Sequence, residues 1–229
     1  MDRIVVVTGA NRGIGREVAR QLADAGDTVY LTARRLAAAE QVAAELFPQR
    51  LVPAQLDVTD PDSVHRLSRR VGADHGRLDV LVNNAAIHYD TWQRVVGADL
   101  AVVREALDTN LFGAWNTVHA FLPLLRAGRH GRIVNVSSGG GSLAEMGGGI
   151  PAYRISKAAL NAFTLMLADE LRGDGILVNA VCPGWVATDM GGPGGRPVAQ
   201  GAAGIVWAAD LPDGGPTGGF YRDGRKLPW

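Results

Sequence analysis

Cysteine is almost missing from this sequence, and its one copy, Cys182, has no partner for a disulfide within the chain. Excess charge is missing as well. The 23 Lys and Arg balance 23 Asp and Glu, so no global field draws the chain to nucleic acid or to an anionic membrane. No apolar run approaches the ~18 residues expected of a membrane span, and Met1-Asp2-Arg3 passes straight into Ile4-Val5-Val6-Val7 without a leader pattern. These absences predict a cytoplasmic protein that binds a small molecule, with no nucleic acid and no membrane as partner. His65, His75, His88, His119 and His130 are scattered without metal-ligand spacing, so no metal is expected. Neither a fixed-period repeat nor a dividing linker interrupts the 229 residues. A chain of this length buries roughly 70–75% of its unfolded surface and needs no covalent staple.

What is present is an alternation. Short β-branched runs predict strands over Ile4–Val7, Thr28–Thr32, Leu51–Leu56, Val80–Asn83, Arg132–Ser137, Leu177–Val181 and Gly219–Tyr221. Longer amphipathic runs predict helices over Ile14–Ala25, Ala37–Leu46, Pro61–Asp74, Leu100–Leu107, Leu111–Leu125, Ala152–Leu171 and Val198–Ala209. Repeated βαβ units of this kind make an α/β fold, with a mostly or wholly parallel seven-stranded sheet and helices on both faces. Asp60-Pro61 reads as an N-cap and first helical residue, and Gly128 and Gly173 as helix C-caps. The stretches Gly139–Gly149 and Gly191–Gly195 follow strand ends and are too long for tight turns. Such loops, at the carboxyl ends of parallel strands, are where these folds bind ligands.

Two motifs carry chemistry. The first strand ends in Thr8-Gly9-Ala10-Asn11-Arg12-Gly13-Ile14-Gly15, and a helix begins at once. Glycine lets the backbone approach a pyrophosphate, and the helix N-terminus presents free N–H groups with partial positive charge. The second motif is Tyr153-Arg154-Ile155-Ser156-Lys157. Positions i and i+4 share a helix face about 5–6 Å apart. A cation there is expected to lower the phenol from its ordinary value near ~10 and make it a better proton donor.

The T-G-x-x-x-G-x-G spacing, Gly9, Gly13 and Gly15, departs from G-x-G-x-x-G and resembles the short-chain dehydrogenase/reductase family, over the whole chain. The resemblance implies a single-domain doubly wound Rossmann fold over residues 1–229, holding both cofactor and active site. It implies cofactor contacts at Gly9, Asn11, Arg12, Gly13, Ile14 and Gly15. It puts Asp57 and Val58 beside the adenine, and Asn84 and Ala85 along the cofactor, where Ala86 replaces the family's usual glycine. Asn110, Ser138, Tyr153 and Lys157 form the implied catalytic set. Ser138, rather than Ser137, orients the carbonyl; Lys157 also binds the nicotinamide ribose; Asn110 holds a water for proton resupply. Pro183, Gly184, Val186 and Thr188 match the segment beside the nicotinamide, while Cys182 reads as a small buried residue.

At the end of the second strand, Leu31-Thr32-Ala33-Arg34-Arg35 has no acid to bind the ribose hydroxyls of NAD. Arg34, with Arg12 nearby, suits a 2′-phosphate instead, so NADP(H) is the expected cofactor. The closing Pro216–Trp229 segment is similar to the carbonyl-reductase branch. NADPH-dependent reduction of a ketone or aldehyde is the expected reaction. An NADP-dependent alcohol dehydrogenase of a biosynthetic pathway and a non-catalytic NADP(H)-binding sensor are the alternatives. The glycine-rich segments predict a flexible, open pocket for a small-molecule carbonyl, with Leu143, Met146, Ile150, Trp185 and Met190 as candidate apolar lining. Relatives in the family pair through the two long helices near 111–125 and 152–171, which implies a homodimer or homotetramer.

Overall fold

Alternation along the first strand divides the core in two. In this computed structural model, which describes residues 2–46 and 49–229, β1 (Ile4–Val7) sends Ile4 and Val6 to one face and Val5 and Val7 to the other. The first face is covered by α3 (Pro61–His75), α5 (Gly113–Ala127) and α6 (Pro151–Glu170); the second by α1 (Gly13–Asp24), α2 (Leu36–Leu46) and α7 (Val198–Ala209). All four β1 side chains are buried, and burying each contributes about 1.5–3 kcal/mol. The helix α4 (Leu100–Leu107) packs against α6.

The remaining strands are β2 (Thr28–Ala33), β3 (Leu51–Gln55), β4 (Val80–Asn83), β5 (Arg132–Val136), β6 (Leu177–Val181), β7 (Gly219–Arg222) and β8 (Arg225–Lys226). Their order is β3-β2-β1-β4-β5-β6-β7-β8. Every pairing is parallel except β7 with β8. The winding reverses between β1 and β4, and at such a switch point the carboxyl ends of the strands leave a crevice.

Most element ends fall within one or two residues of the sequence expectation, and three features differ in kind. An eighth, antiparallel strand follows the expected seven, because Asp223 (φ 52°) and Gly224 (φ 72°) make a two-residue turn with both central residues left-handed, the geometry that matches strand twist in a hairpin. The helix expected from Leu111 begins at Gly113, after a π-helical turn over Asp108–Phe112. Gly173 does not cap α6: it lies inside a short 3-10 turn, and the left-handed residue is Gly175 (φ 69°). Asp60 does cap α3, its side chain accepting the Asp62 amide with Pro61 at the first helical position. Gly128 holds the C-cap position of α5 in an extended conformation. No helix among the described residues is long and apolar enough to cross a membrane.

Candidate active site

The glycine turn between β1 and α1 is held from the next strand over. Gly9 (φ 62°) and Gly13 (φ 54°) take left-handed conformations, which other residues adopt with strain. Thr8 Oγ1 accepts the Asn84 and Ala85 amides, each at 2.9 Å, while Asn84 Nδ2 donates to Thr8 O and Gly9 O. A side chain at Gly15 would collide with Asn84 Nδ2 and come within 2.7 Å of Gly9 O. Helix α1 has no side-chain cap and no acid in its first turn, so its first amides are available to an anion.

This turn forms one end of a cleft of about 520 Å³. Its wall includes Gly9, Asn11, Arg12, Gly13, Ile14 and Gly15, then Arg34, Asp57, Val58, Asn84 and Ala85, and finally Tyr153, Lys157, Pro183 and Thr188. Arg12 pairs with Asp189 at 3.2 Å across the mouth, both exposed, and Asp189 therefore offsets part of the cation expected there. Arg34 has no carboxylate partner within salt-bridge distance among the described residues. Asp57 spends its carboxylate on Thr59, accepting from its amide and its hydroxyl. Val58 is buried, and a Cβ at Gly113 would come within 2.6 Å of its Cγ2.

Ser138, Asn110, Gly184 and Val186 lie outside this wall. Val186 is 4% exposed and packs against Gly201 of α7, so its side chain serves the core. Gly184 (φ 79°) turns the chain beside the Arg196 side chain. Asn110, in the π-helical turn, is fully engaged: Nδ2 donates to Ile87 O at 3.1 Å and Ser156 Oγ at 2.9 Å, and Oδ1 accepts the Ile87 amide at 2.8 Å. Ser138 Oγ accepts the Gly140 amide at 3.1 Å and is close enough to the Tyr153 phenol to pull its titration downward. Its neighbour Ser137 does belong to the cleft wall, but it is almost fully buried and its hydroxyl donates to Asn161 Oδ1 at 2.6 Å.

Tyr153 and Lys157 stand one turn apart on α6, with Lys157 Nζ 5.8 Å from the centre of the phenol ring. Nζ donates to Val136 O at 2.8 Å. Burial governs both groups. It pushes the Tyr153 phenol up to about 12, against the downward pull of Ser138, and pushes the Lys157 ammonium down to about 8. The expected lowering of the phenol by the lysine is not seen here: desolvation dominates, and the lysine's bond goes to a backbone carbonyl.

Cys182 is buried as expected, but it is also a junction. Its sulfur accepts from the amides of Gly139 and Gly184 and from the Arg222 guanidinium at 3.1–3.4 Å. The glycine-rich segment after Ser138 is tied down too. Gly141 packs on the Lys157 backbone, where a Cβ would come within 2.7 Å, and Ser142 and Ala144 donate to Pro228 O and Trp229 O. Trp229 in turn stacks on Phe220. Sequence reasoning missed His88, Glu105, Asp108 and Thr109 in the cleft wall. His88 (φ 57°) contacts Glu105 at 2.7 Å, and nothing in their spacing signals it. No group of three or more potential metal ligands occurs among the described residues.

The fold, the glycine turn and the serine, tyrosine and lysine together define a dinucleotide-dependent dehydrogenase or reductase. A family model described as short chain dehydrogenase matches residues 3–196, and the chain belongs to that family, in its carbonyl-reductase-like branch. It is 33% identical to "Carbonyl reductase [NADPH] 1" of Sus scrofa, covering 99% of this chain and 94% of that protein. It is 35% identical to "Short-chain dehydrogenase/reductase 1" of Saponaria officinalis, covering 99% and 96%. The NADPH-bound carbonyl reductase from chicken fatty liver superposes with a TM-score of 0.90 at 31% identity, covering 100% and 99% of the two chains.

Proposed function

We propose that this protein is an NADPH-dependent reductase of ketones and aldehydes, with Tyr153 as the proton donor. The observation that carries the reading is one cleft with two ends: a glycine turn and Arg34 at one, and Tyr153 and Lys157 with Ser138 alongside at the other. The first end suits a dinucleotide phosphate. Arg34 directly follows β2, where an acid would favour NAD, and its planar fork matches phosphate oxygens. The similar proteins from Sus scrofa and chicken fatty liver are named for, or bound to, NADPH. When bound, NADPH supplies the hydride that reaches the carbonyl carbon.

The chain's own residues manage the oxygen. Ser138 Oγ donates to the carbonyl oxygen and orients it, and Tyr153 Oη gives its proton to the same atom as negative charge develops there. A preorganised donor of this kind contributes about 2.7–4 kcal/mol. Lys157, held at about 8 by burial, remains largely protonated at neutral pH. One of its N–H groups is spent on Val136 O, which leaves two for the ribose and the phenol. The Asn110 side chain is committed to Ile87 and Ser156, which leaves its amide no free N–H for the water expected there. Of the five candidate apolar lining residues, Met190 is in the cleft wall, whereas Leu143, Met146, Ile150 and Trp185 lie outside it; Met190 favours an apolar carbonyl. Exposed Phe112 just before α5, with exposed Ile155, Leu165 and Met166 on α6, supports a homodimer through that face.

The test follows NADPH absorbance with apolar ketones, aldehydes, quinones and dicarbonyls. Turnover is expected with at least one class, and Tyr153→Phe is expected to lower kcat by roughly 10²–10⁴-fold, the usual worth of a general acid, while leaving NADPH affinity unchanged. Wild-type turnover in Tyr153→Phe would sink the assignment.

A further inference from the structure

Helix α6 begins without a cap of its own. Ile150, just before its first turn, is left-handed (φ 44°, ψ 51°) and offers no side-chain acceptor, so the first amides need partners from elsewhere. The partner comes from the segment after β4. Asp90, fully buried, accepts the Tyr153 amide through Oδ1 at 3.1 Å and the Ala152 amide through Oδ2 at 3.0 Å. Gln93 Nε2 reaches the same Oδ2 at 3.1 Å. Gln93 is itself buried, and its Oε1 accepts the amide of Asp99 at 2.7 Å, while Asp99 caps α4 through the Ala101 amide. One residue before Asp90, the Tyr89 ring meets the Tyr153 ring edge-on, with centres 5.2 Å apart.

We propose that Asp90 is a positioning residue: by gripping the amide of Tyr153 it sets where the phenol stands relative to Ser138 and Lys157. This rests on the reading of Tyr153 as proton donor. A carboxylate at a helix N-terminus meets both free amides and the positive end of the helix dipole. Two oxygens on two successive amides fix the rotation of the first turn as well as its height. Through Gln93 the same carboxylate links that turn to α4, whose C-terminal end leads into the π-helical turn with Asn110. The positions lie 62 and 63 residues apart in the chain, so no local motif announces the contact.

Asp90→Asn keeps the volume and one acceptor oxygen but removes the second acceptor and the charge. At saturating NADPH its kcat is expected to fall roughly 10- to 100-fold, the scale on which a displacement of about 1 Å acts. NADPH affinity is expected to stay at the wild-type value. The solvent deuterium isotope effect on kcat is expected to rise, because proton delivery becomes slower, a signature that lost stability alone does not produce. Asp90→Asn combined with Tyr153→Phe is expected to be no slower than Tyr153→Phe by itself. Wild-type kcat and isotope effect in Asp90→Asn overturn the proposal, and so does a double variant that loses the Asp90 factor again. Wild-type turnover in Tyr153→Phe alone would instead sink the underlying reading of the phenol. Should Asp90→Asn fail to fold, Gln93→Met is measured the same way. A loss of roughly 3- to 10-fold with a raised isotope effect supports the proposal, and an unchanged isotope effect overturns it.

Discussion

Ser137 and Ser138 are adjacent, yet the first commits its hydroxyl to Asn161 of α6 and the second acts on the Tyr153 phenol, because successive side chains leaving β5 point to opposite sides. Their substitutions therefore separate stability from catalysis. Ser138→Ala is expected to lower kcat by roughly 10²–10³-fold, as for loss of one oxyanion donor, with little change in Tm. Ser137→Ala is expected to keep most of its kcat and to lose about 1–3 kcal/mol of stability, by stranding the buried Asn161 oxygen. Kinetics and thermal melts of the two variants decide it; the reverse pattern would exchange their roles. Lys157 gives a second test. Its folded value of about 8 lies below the ordinary lysine value of 10.5, so the unfolded chain holds the extra proton between those limits and stability rises with pH across them. Lys157→Met removes this dependence. Its stability relative to wild type is expected to be most favourable below pH 8 and to decline by on the order of 3 kcal/mol as pH passes 10.5, at 1.36 kcal/mol per unit. Denaturant unfolding without cofactor at pH 7 and pH 10.5 measures it, and parallel wild-type and variant profiles would refute it.

Among the elements, those with a local signal were legible and those held from a distance were not. β1, α4, β6 and α7 have the bounds their periodicity predicts. Thr8–Gly15 is readable from its spacing after a strand, and the Tyr153/Lys157 pair from its spacing together with its setting. Asp223-Gly224 carried a hairpin signal that a three-residue strand ending at Tyr221 passed over. The π-helical turn at Asn110 adds one residue to a helix and has no compositional mark. The glycines after Ser138 look alike in sequence but not in space. Gly141 abuts the Lys157 backbone, whereas Gly148 has open space around it. Gly141→Ala is therefore expected to destabilise by about 1–3 kcal/mol, as overpacking does, and to lower kcat by shifting Lys157. Gly148→Ala is expected to stay within about 0.5 kcal/mol of wild type, as at an ordinary surface position. Equal melts and equal kcat for the two would mean that the segment is as loose as its composition suggests.

For the whole molecule, the sheet order puts the cleft at the carboxyl edge and leaves α5 and α6 with an outer surface facing away from it. On α6, Ile155, Ala159, Ala162 and Met166 recur at intervals of three and four, the spacing of a single helix stripe. Ile155 and Met166 are more than half exposed, while the alanines between them let another helix approach closely. Next to this stripe, Phe112 is exposed at the entry to α5, and Trp115 stacks on Phe163 of α6. Exposed apolar residues gathered in one area mark an interaction surface, and a two-fold arrangement sets the same stripe against itself. Sedimentation at micromolar concentration is expected to give twice the mass of one chain. Met166→Glu places like charges across the two-fold axis and is expected to yield monomers. Tyr153 and Met166 differ by 13 positions and so point about 140° apart on the helix at 3.6 residues per turn, so the monomeric variant is expected to keep its kcat. A wild-type protein that sediments as a monomer would show that the stripe has another partner, whereas a monomeric Met166→Glu without turnover would mean that pairing of the chains supports the geometry of the site.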